Sequence, residues 1–186
     1  MKLTQDHINF EKLSQQLVGL TINDVEYSEI IYDPSNPNPS FSTQFTNLDS
    51  VDFSIFFHTK ENKLIEIYWD DKFFQFGIGI KINSPSDFSG NIKWNVSEYD
   101  LWKKFIGEII TGIDITWESI TVETNTNKVE KFVYPQDLKI TFSNNKNIFI
   151  SASEFKNQDA KEVYGMSDNL IVTDNEELAR RVKMLI

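Results

Sequence analysis

A chain of 186 residues has room for one domain with a sizeable buried core, and 40% hydrophobic content with 15 Phe, 4 Trp and 6 Tyr excludes a chain that is disordered throughout. Eighteen Lys and Arg against 28 Asp and Glu give a net charge of -10, which opposes binding to nucleic acid or to an anionic membrane and favours a basic protein partner. The absence of Cys removes disulfides, thiolate metal sites and thiol nucleophiles.

The opening segment has no unbroken apolar stretch of the kind a secretory leader needs, and no segment reaches the ~18 apolar residues of a membrane span, so a cytoplasmic location is the expectation. Ile8, Leu13 and Leu17 lie at helical spacing and Gly19 follows as a stop, which predicts a helix over 5–18. The stretch "LVGLTINDVEY" then runs into a strand. From Tyr32 to Ser50 the chain holds three of its five prolines and predicts an irregular loop.

"VDFSIFF" alternates Val51, Phe53, Ile55 and Phe57 against Asp52, Ser54 and Phe56, and after the polar turn "HTKENK" comes the second apolar run "LIEIYW", so a hairpin is expected. "YWDDKFFQFGIGIKI" follows. Asp70 and Asp71 are expected in a turn, because strand neighbours point to opposite faces; Gly77 and Gly79 lack the context of a dinucleotide loop and mark a bulge or a close backbone approach. Asn83 to Asn91 reads as a surface connection.

A second helix is predicted over "SEYDLWKKFIG", from Ser97 to the stop at Gly107, and "FIGEIITGIDITW" repeats the pattern of the first strand entry. Glu123 to Gln136 reads as a loop, "DLKITF" and "IFISA" as a hairpin closed by "SNNKN", and "TDNEELARRVKMLI" as a third helix capped at Thr173. Pairing Leu17 with Phe105 (offset 88), Val25 with Ile115 (offset 90) and Ile55 with Ile140 (offset 85) gives the same order of helix, strand, loop and hairpin twice; the last helix then begins a third unit, Leu101 matching Leu178. The fold expectation is therefore α+β: an antiparallel, β-rich single domain, 1–186, built from two similar helix-strand-hairpin halves, 1–96 and 97–186, with three short helices including a C-terminal one.

No phosphate loop, HExxH or GxSxG occurs, and His7 and His58 have no partner at triad or metal spacing, so no catalytic residue, metal site or cofactor is expected. Trp69 and Trp117 are assigned to the core. The leading functional expectation is a non-enzymatic binding protein with an acidic, aromatic-bearing surface, of which a toxin-neutralising immunity protein is one form by analogy of character. Its candidate contact residues are Asp70, Asp71, Phe73 and Phe74 after the aspartates, and Phe41 and Phe45 in the proline-rich loop. The alternative is a small-molecule-binding or hydrolytic domain with its site in a cleft between the halves. The two halves differ most at Tyr32–Ser50 and Asp70–Phe76, where function is to be sought.

Overall fold

A computed structural model of the chain describes residues 4–35, 37–73, 76–86, 90–123 and 129–184. Its elements are α1 (Gln5–Gln15), β1 (Ile22–Ile30), β2 (Leu48–Val51), β3 (Phe53–Thr59), β4 (Leu64–Asp70), β5 (Gly77–Ile82), β6 (Asn91–Asn95), β7 (Ile110–Glu123), β8 (Val129–Phe142), β9 (Asn147–Phe155), β10 (Val163–Thr173) and α2 (Glu176–Arg181). Two five-stranded antiparallel sheets result, with strand orders β5-β4-β3-β1-β6 and β2-β10-β9-β8-β7. Alternate side chains of each meet in one core: Val25, Ile55, Phe57 and Ile67 from the first sheet against Ile113, Leu138, Ile140, Ile150 and Val172 from the second. The seam between the sheets is filled with these apolar side chains.

The hairpins follow the alternation visible in the sequence. β3 pairs β4 as Ile55↔Ile67 and Phe57↔Ile65, and β8 pairs β9 as Leu138↔Ile150 and Ile140↔Ile148. Every one of these positions recurs at an offset of 83 (Ile55 to Leu138, Ile67 to Ile150), two short of the 85 expected from sequence. The turns match as well, with Asn62 and Asn145 both at positive φ, 56° and 62°.

The two strand entries clasp each other. Gly19 N–H donates to the Ile110 carbonyl and Gly107 N–H to the Ile22 carbonyl, both at 2.8 Å; Ile22 N–H donates to Glu108 (3.0 Å) and Ile110 N–H to Leu20 (2.9 Å). Thr21 and Ile109 face each other as an antiparallel bridge. Each contact is the reciprocal of another at the offset of 88 given by the glycines, and β1 and β7 each carry an irregularity at the matching place, Ile22/Asp24 and Ile110/Gly112. Gly19 and Gly107 sit at φ 93° and 86°, and a Cβ on either would meet nothing within 4 Å. Only backbone strain therefore opposes a side chain there. Gly19→Ala and Gly107→Ala should each destabilise the fold by roughly 1–2 kcal/mol, and by similar amounts, in urea unfolding; a loss at one position alone would show that the two turns are not equivalent.

Several expectations change. There are two helices among the described residues rather than three, because 97–107 forms a series of turns closed by i→i+3 bonds, such as Trp102 N–H to Tyr99 and Phe105 N–H to Trp102. The reason lies in its ends: Val96 N–H is tied to Val25 and Gly107 N–H to Ile22, three residues apart on one strand, or roughly 10 Å, whereas eleven helical residues would span roughly 16 Å. α1 is held at its first turn by a side chain instead, with His7 Nε2 3.0 Å from the Val133 carbonyl oxygen. The terminal helix begins later than expected, with Asn175 rather than Thr173 as its cap, accepting from Leu178 N–H at 3.0 Å. Thr173 instead ends β10 and donates to the Asn47 carbonyl. α2 lies outside the sandwich, on Leu48, Phe149 and Ile171.

The run "VDFSIFF" is split between sheets: Val51 pairs Leu170 in the second, Phe53 pairs Glu29 in the first, and the chain crosses at Asp52 with Phe53 at φ 151°. The end of the proline-rich loop is thus strand β2, and much of 123–136 is strand as well, in β8. Gly79 is a close approach, since a Cβ there would sit 2.6 Å from Cζ of Tyr68. Trp69 and Trp117 are half-buried against the core.

Candidate functional site

The crossing at Asp52 brings together acids that are far apart in the chain. Glu29 lies near the end of β1, Asp49 on β2, Asp52 at the crossing, Glu154 near the end of β9, and Asp168 in the irregular stretch of β10 between Gly165 and Leu170. Antiparallel pairing places these strand ends along one edge of the sandwich.

The inner part of this edge is a buried polar chain. Trp102 Nε1 donates to the Tyr27 hydroxyl at 2.6 Å, and that hydroxyl donates to Asp49 Oδ2 at 2.9 Å. Tyr27 is 0% exposed. Burial raises the Asp49 carboxyl to about 6; the Tyr27 bond works against this rise and the charge of Glu29 adds to it. Burial likewise raises Glu29, whose oxygens accept from the Ser40 N–H (3.1 Å) and hydroxyl (2.8 Å).

The outer part is open to solvent. Tyr32, 80% exposed, hydrogen-bonds the Asp52 carboxylate, and that bond pushes its phenol up to about 12. Asp52 itself is raised by burial, with the charges of Asp168 and Glu154 adding. Glu154 accepts from the hydroxyl of Tyr164, itself 39% exposed. Asp33 extends the surface next to Tyr32. Among the described residues, the groups that act on Glu29, Asp49 and Asp52 are hydrogen-bond donors and other acids rather than lysines or arginines. Lys156 lies 5.6 Å from the Tyr164 ring centroid at the margin.

The six residues singled out in the sequence fall in several places. Asp70 and Asp71 do share a turn, where Asp70 accepts from the Tyr68 hydroxyl (3.3 Å) and from Lys72 N–H (3.2 Å). With Phe53, Tyr68, Trp69, Lys81 and Ser86 they line a shallow hollow of about 370 Å³. Lys81 already occupies its aromatic wall, 4.3 Å from the Tyr68 centroid. Phe73 turns away to pack on His7, Phe10 and Trp117 under α1. Phe41 is buried against Tyr27 (4.9 Å) and Tyr99 (5.8 Å), and Phe45 packs on Phe155 beneath the Arg181 guanidinium. Phe74 lies outside the described residues. The acids of the crossing edge were not singled out, since residues 29, 49, 52, 154 and 168 have no readable spacing; the one visible signal was Tyr32–Asp33 at the head of the proline-rich loop.

Among the described residues no helix is long and apolar enough to cross a membrane, and no group of three His, Asp or Glu is placed to hold a metal ion. Compared with known proteins, the chain matches no protein-family model, no curated protein and no solved structure.

Proposed function

We propose that this chain is a non-enzymatic binding protein that presents the acidic, tyrosine-bearing edge around Asp52 to a basic protein partner, with a toxin-neutralising immunity protein as the concrete form. The observation that carries the reading is the charge imbalance of that edge. Asp49, Asp52 and Glu29 hold raised carboxyls with no cation, among the described residues, in the groups that act on them, so an incoming Lys or Arg relieves a cost already present in the free protein. Tyr32 and Tyr164 supply aromatic contact area beside the charge. The hollow at Asp70 and Asp71 supports the reading less, because Lys81 already stands in it.

The test is capture from a lysate of the source cells on the immobilised protein. A basic protein should be retained at ~50 mM salt and released at several hundred millimolar, where surface charges are screened within a few ångströms. Asp52→Asn, Glu154→Gln and Asp168→Asn together should abolish retention, while Asp70→Asn with Asp71→Asn leaves it intact. Retention that ignores salt, or that depends on Asp70 and Asp71 instead, contradicts the proposal.

The reciprocal bonds of Gly19 and Gly107 and the shared hairpin register support a further part of this reading: one domain whose halves, 1–96 and 97–186, derive from one duplicated unit. The acidic edge then lies where the halves differ, since β2 and the Tyr32 loop are inserted between β1 and β3, while β7 and β8, next to each other in element order, pair with one another.

A further inference from the structure

An edge strand carries N–H and C=O groups with no ladder partner, and another chain can pair with them. Three of the four sheet edges in this fold meet other parts of the molecule. At β2, Ser50 N–H donates to the Phe41 carbonyl at 2.7 Å and Ser42 bridges Asp49. At β7, the Gln15 side chain of α1 donates to the Ile113 carbonyl at 3.1 Å. β5 lies against β8, where a Cβ on Gly77 would sit 2.9 Å from the Pro135 carbonyl oxygen. β6 ends its sheet with no such cover among the described residues.

The ladder fixes which groups of β6 are free. Val96 N–H donates to the Val25 carbonyl at 2.9 Å and Ile31 N–H to the Gly90 carbonyl at 3.2 Å. In this register the bonded pairs are Tyr27 with Trp94 and Glu29 with Ile92. The N–H and C=O of Asn91, Lys93 and Asn95 therefore point away from β1, and Lys93 and Asn95 are exposed. A lysine on an edge strand can guard it against pairing. Lys93 instead reaches back over its own sheet, its Nζ 3.8 Å from the centroid of Phe56 on β3, beyond β1.

The two sides of this edge carry opposite charge. On the core-facing side Ile92 and Trp94 line a pocket of about 170 Å³ with Glu29, Tyr32, Asp33 and Pro37. Glu29 and Asp33 already accept hydrogen bonds, from Ser40 and Ser35, so they act here through their charge rather than as unfilled acceptors. On the outer side stands Lys93. An added strand alternates its side chains between the two sides, and like charges opposite one another are unfavourable. Cations therefore belong at every second position, on the side of the pocket.

We propose that the basic partner docks by adding an extended segment antiparallel to β6, with cationic side chains at alternate positions laid against Trp94 and the pocket of Glu29 and Asp33. The inference rests on the reading of the acidic edge, since Glu29 and Tyr32 belong to both. It makes the partner's contact element a strand of alternating charge rather than a basic helix.

The probe is a capped hexapeptide of alternating arginine and threonine, titrated into the whole chain and followed by amide NMR. It should shift Lys93 and Asn95 saturably and slow the exchange of their amides. A hexapeptide of three arginines followed by three threonines has the same charge and should bind at least tenfold more weakly. Lys93→Pro removes the outward N–H and leaves the bonds of Ile92 and Trp94 to β1 in place, so it should weaken the alternating peptide at least tenfold; Lys93→Thr, which keeps that N–H, should not. Should Lys93→Pro fail to fold, the alternating peptide methylated on its threonine nitrogens, which face Lys93, makes the same deletion from the ligand side. Binding that ignores these deletions but is lost with Asp33→Asn and Asp52→Asn together overturns the strand and leaves the acidic edge standing. Binding that needs the Lys93 N–H but ignores the two acids supports the strand and contradicts the edge as the source of its charge preference. Equal binding of the two peptides, or no saturation by the alternating one at millimolar concentration, overturns the inference.

Discussion

Trp102→Ala should lower the stability of the fold by about 4 kcal/mol, within the range of large-to-small substitutions at buried aromatics. Trp102 is 1% exposed and packs edge-on to Tyr27, Phe57 and Phe105, with centroids at 6.2, 5.4 and 6.2 Å. Its loss opens a cavity and also removes the donor to the Tyr27 hydroxyl, deep in a site where water does not replace it. For a domain of this size that corresponds to a fall in Tm of roughly 10 °C. Trp102→Phe separates the two effects: it keeps most of the apolar volume and should cost about 1–3 kcal/mol through the hydroxyl alone. Urea unfolding of the three proteins checks both, and a Trp102→Ala loss under ~1 kcal/mol would show that 97–107 does not close the core.

Asp49→Asn should stabilise the protein at neutral pH. The folded carboxyl titrates at about 6 against 3.8 when unexposed to the fold, so the folded state binds the proton more tightly than the unfolded one. The contribution of this group is therefore most favourable below pH ~4 and is lost as pH rises through about 6. Two pH units of difference correspond to about 3 kcal/mol at neutrality. The amide keeps an oxygen to accept from Tyr27 and carries no charge to desolvate, so it should recover a large part of that amount at pH 7.5 and little at pH 4. Glu29 and Asp52 are raised in the same direction and remain in the variant. The difference between variant and wild type, measured by urea midpoint from pH 4 to 8, isolates Asp49 from carboxylates elsewhere. A difference that is flat across this range, or a variant weaker at pH 7.5, contradicts the account.

The strands of both hairpins were legible because Ile55 and Phe57, and Leu138, Ile140 and Phe142, alternate with residues facing away from the core. The paired glycines were legible too, since positive φ at a chain reversal leaves a sequence trace. What failed was tertiary. "SEYDLWKKFIG" has the spacing of a helix, but its ends are pinned to Val25 and Ile22, and no local pattern records that tether. Val51 and Phe53 keep perfect alternation across a crossing between two sheets, because both are buried, each in a different one. β6, "NIKWN", has too few apolar residues to announce itself and exists by pairing with β1.

The candidate site was less legible than the fold. Asp70 and Asp71 attracted notice because they are adjacent to one another and to phenylalanines; in space Phe73 serves α1 and Phe41 serves Tyr27. The acids that share an edge come from five elements and loops, and only strand order brings them together. The proline-rich loop was the useful pointer, since the inserted β2 and Tyr32 both belong to that segment.

The most direct test of the acidic edge is amide hydrogen exchange of the chain alone and saturated with the basic protein it retains. Added protection at 31–35, 50–54, 152–156 and 163–168 is the predicted result; protection confined to 68–73, or spread evenly over the surface, would contradict it.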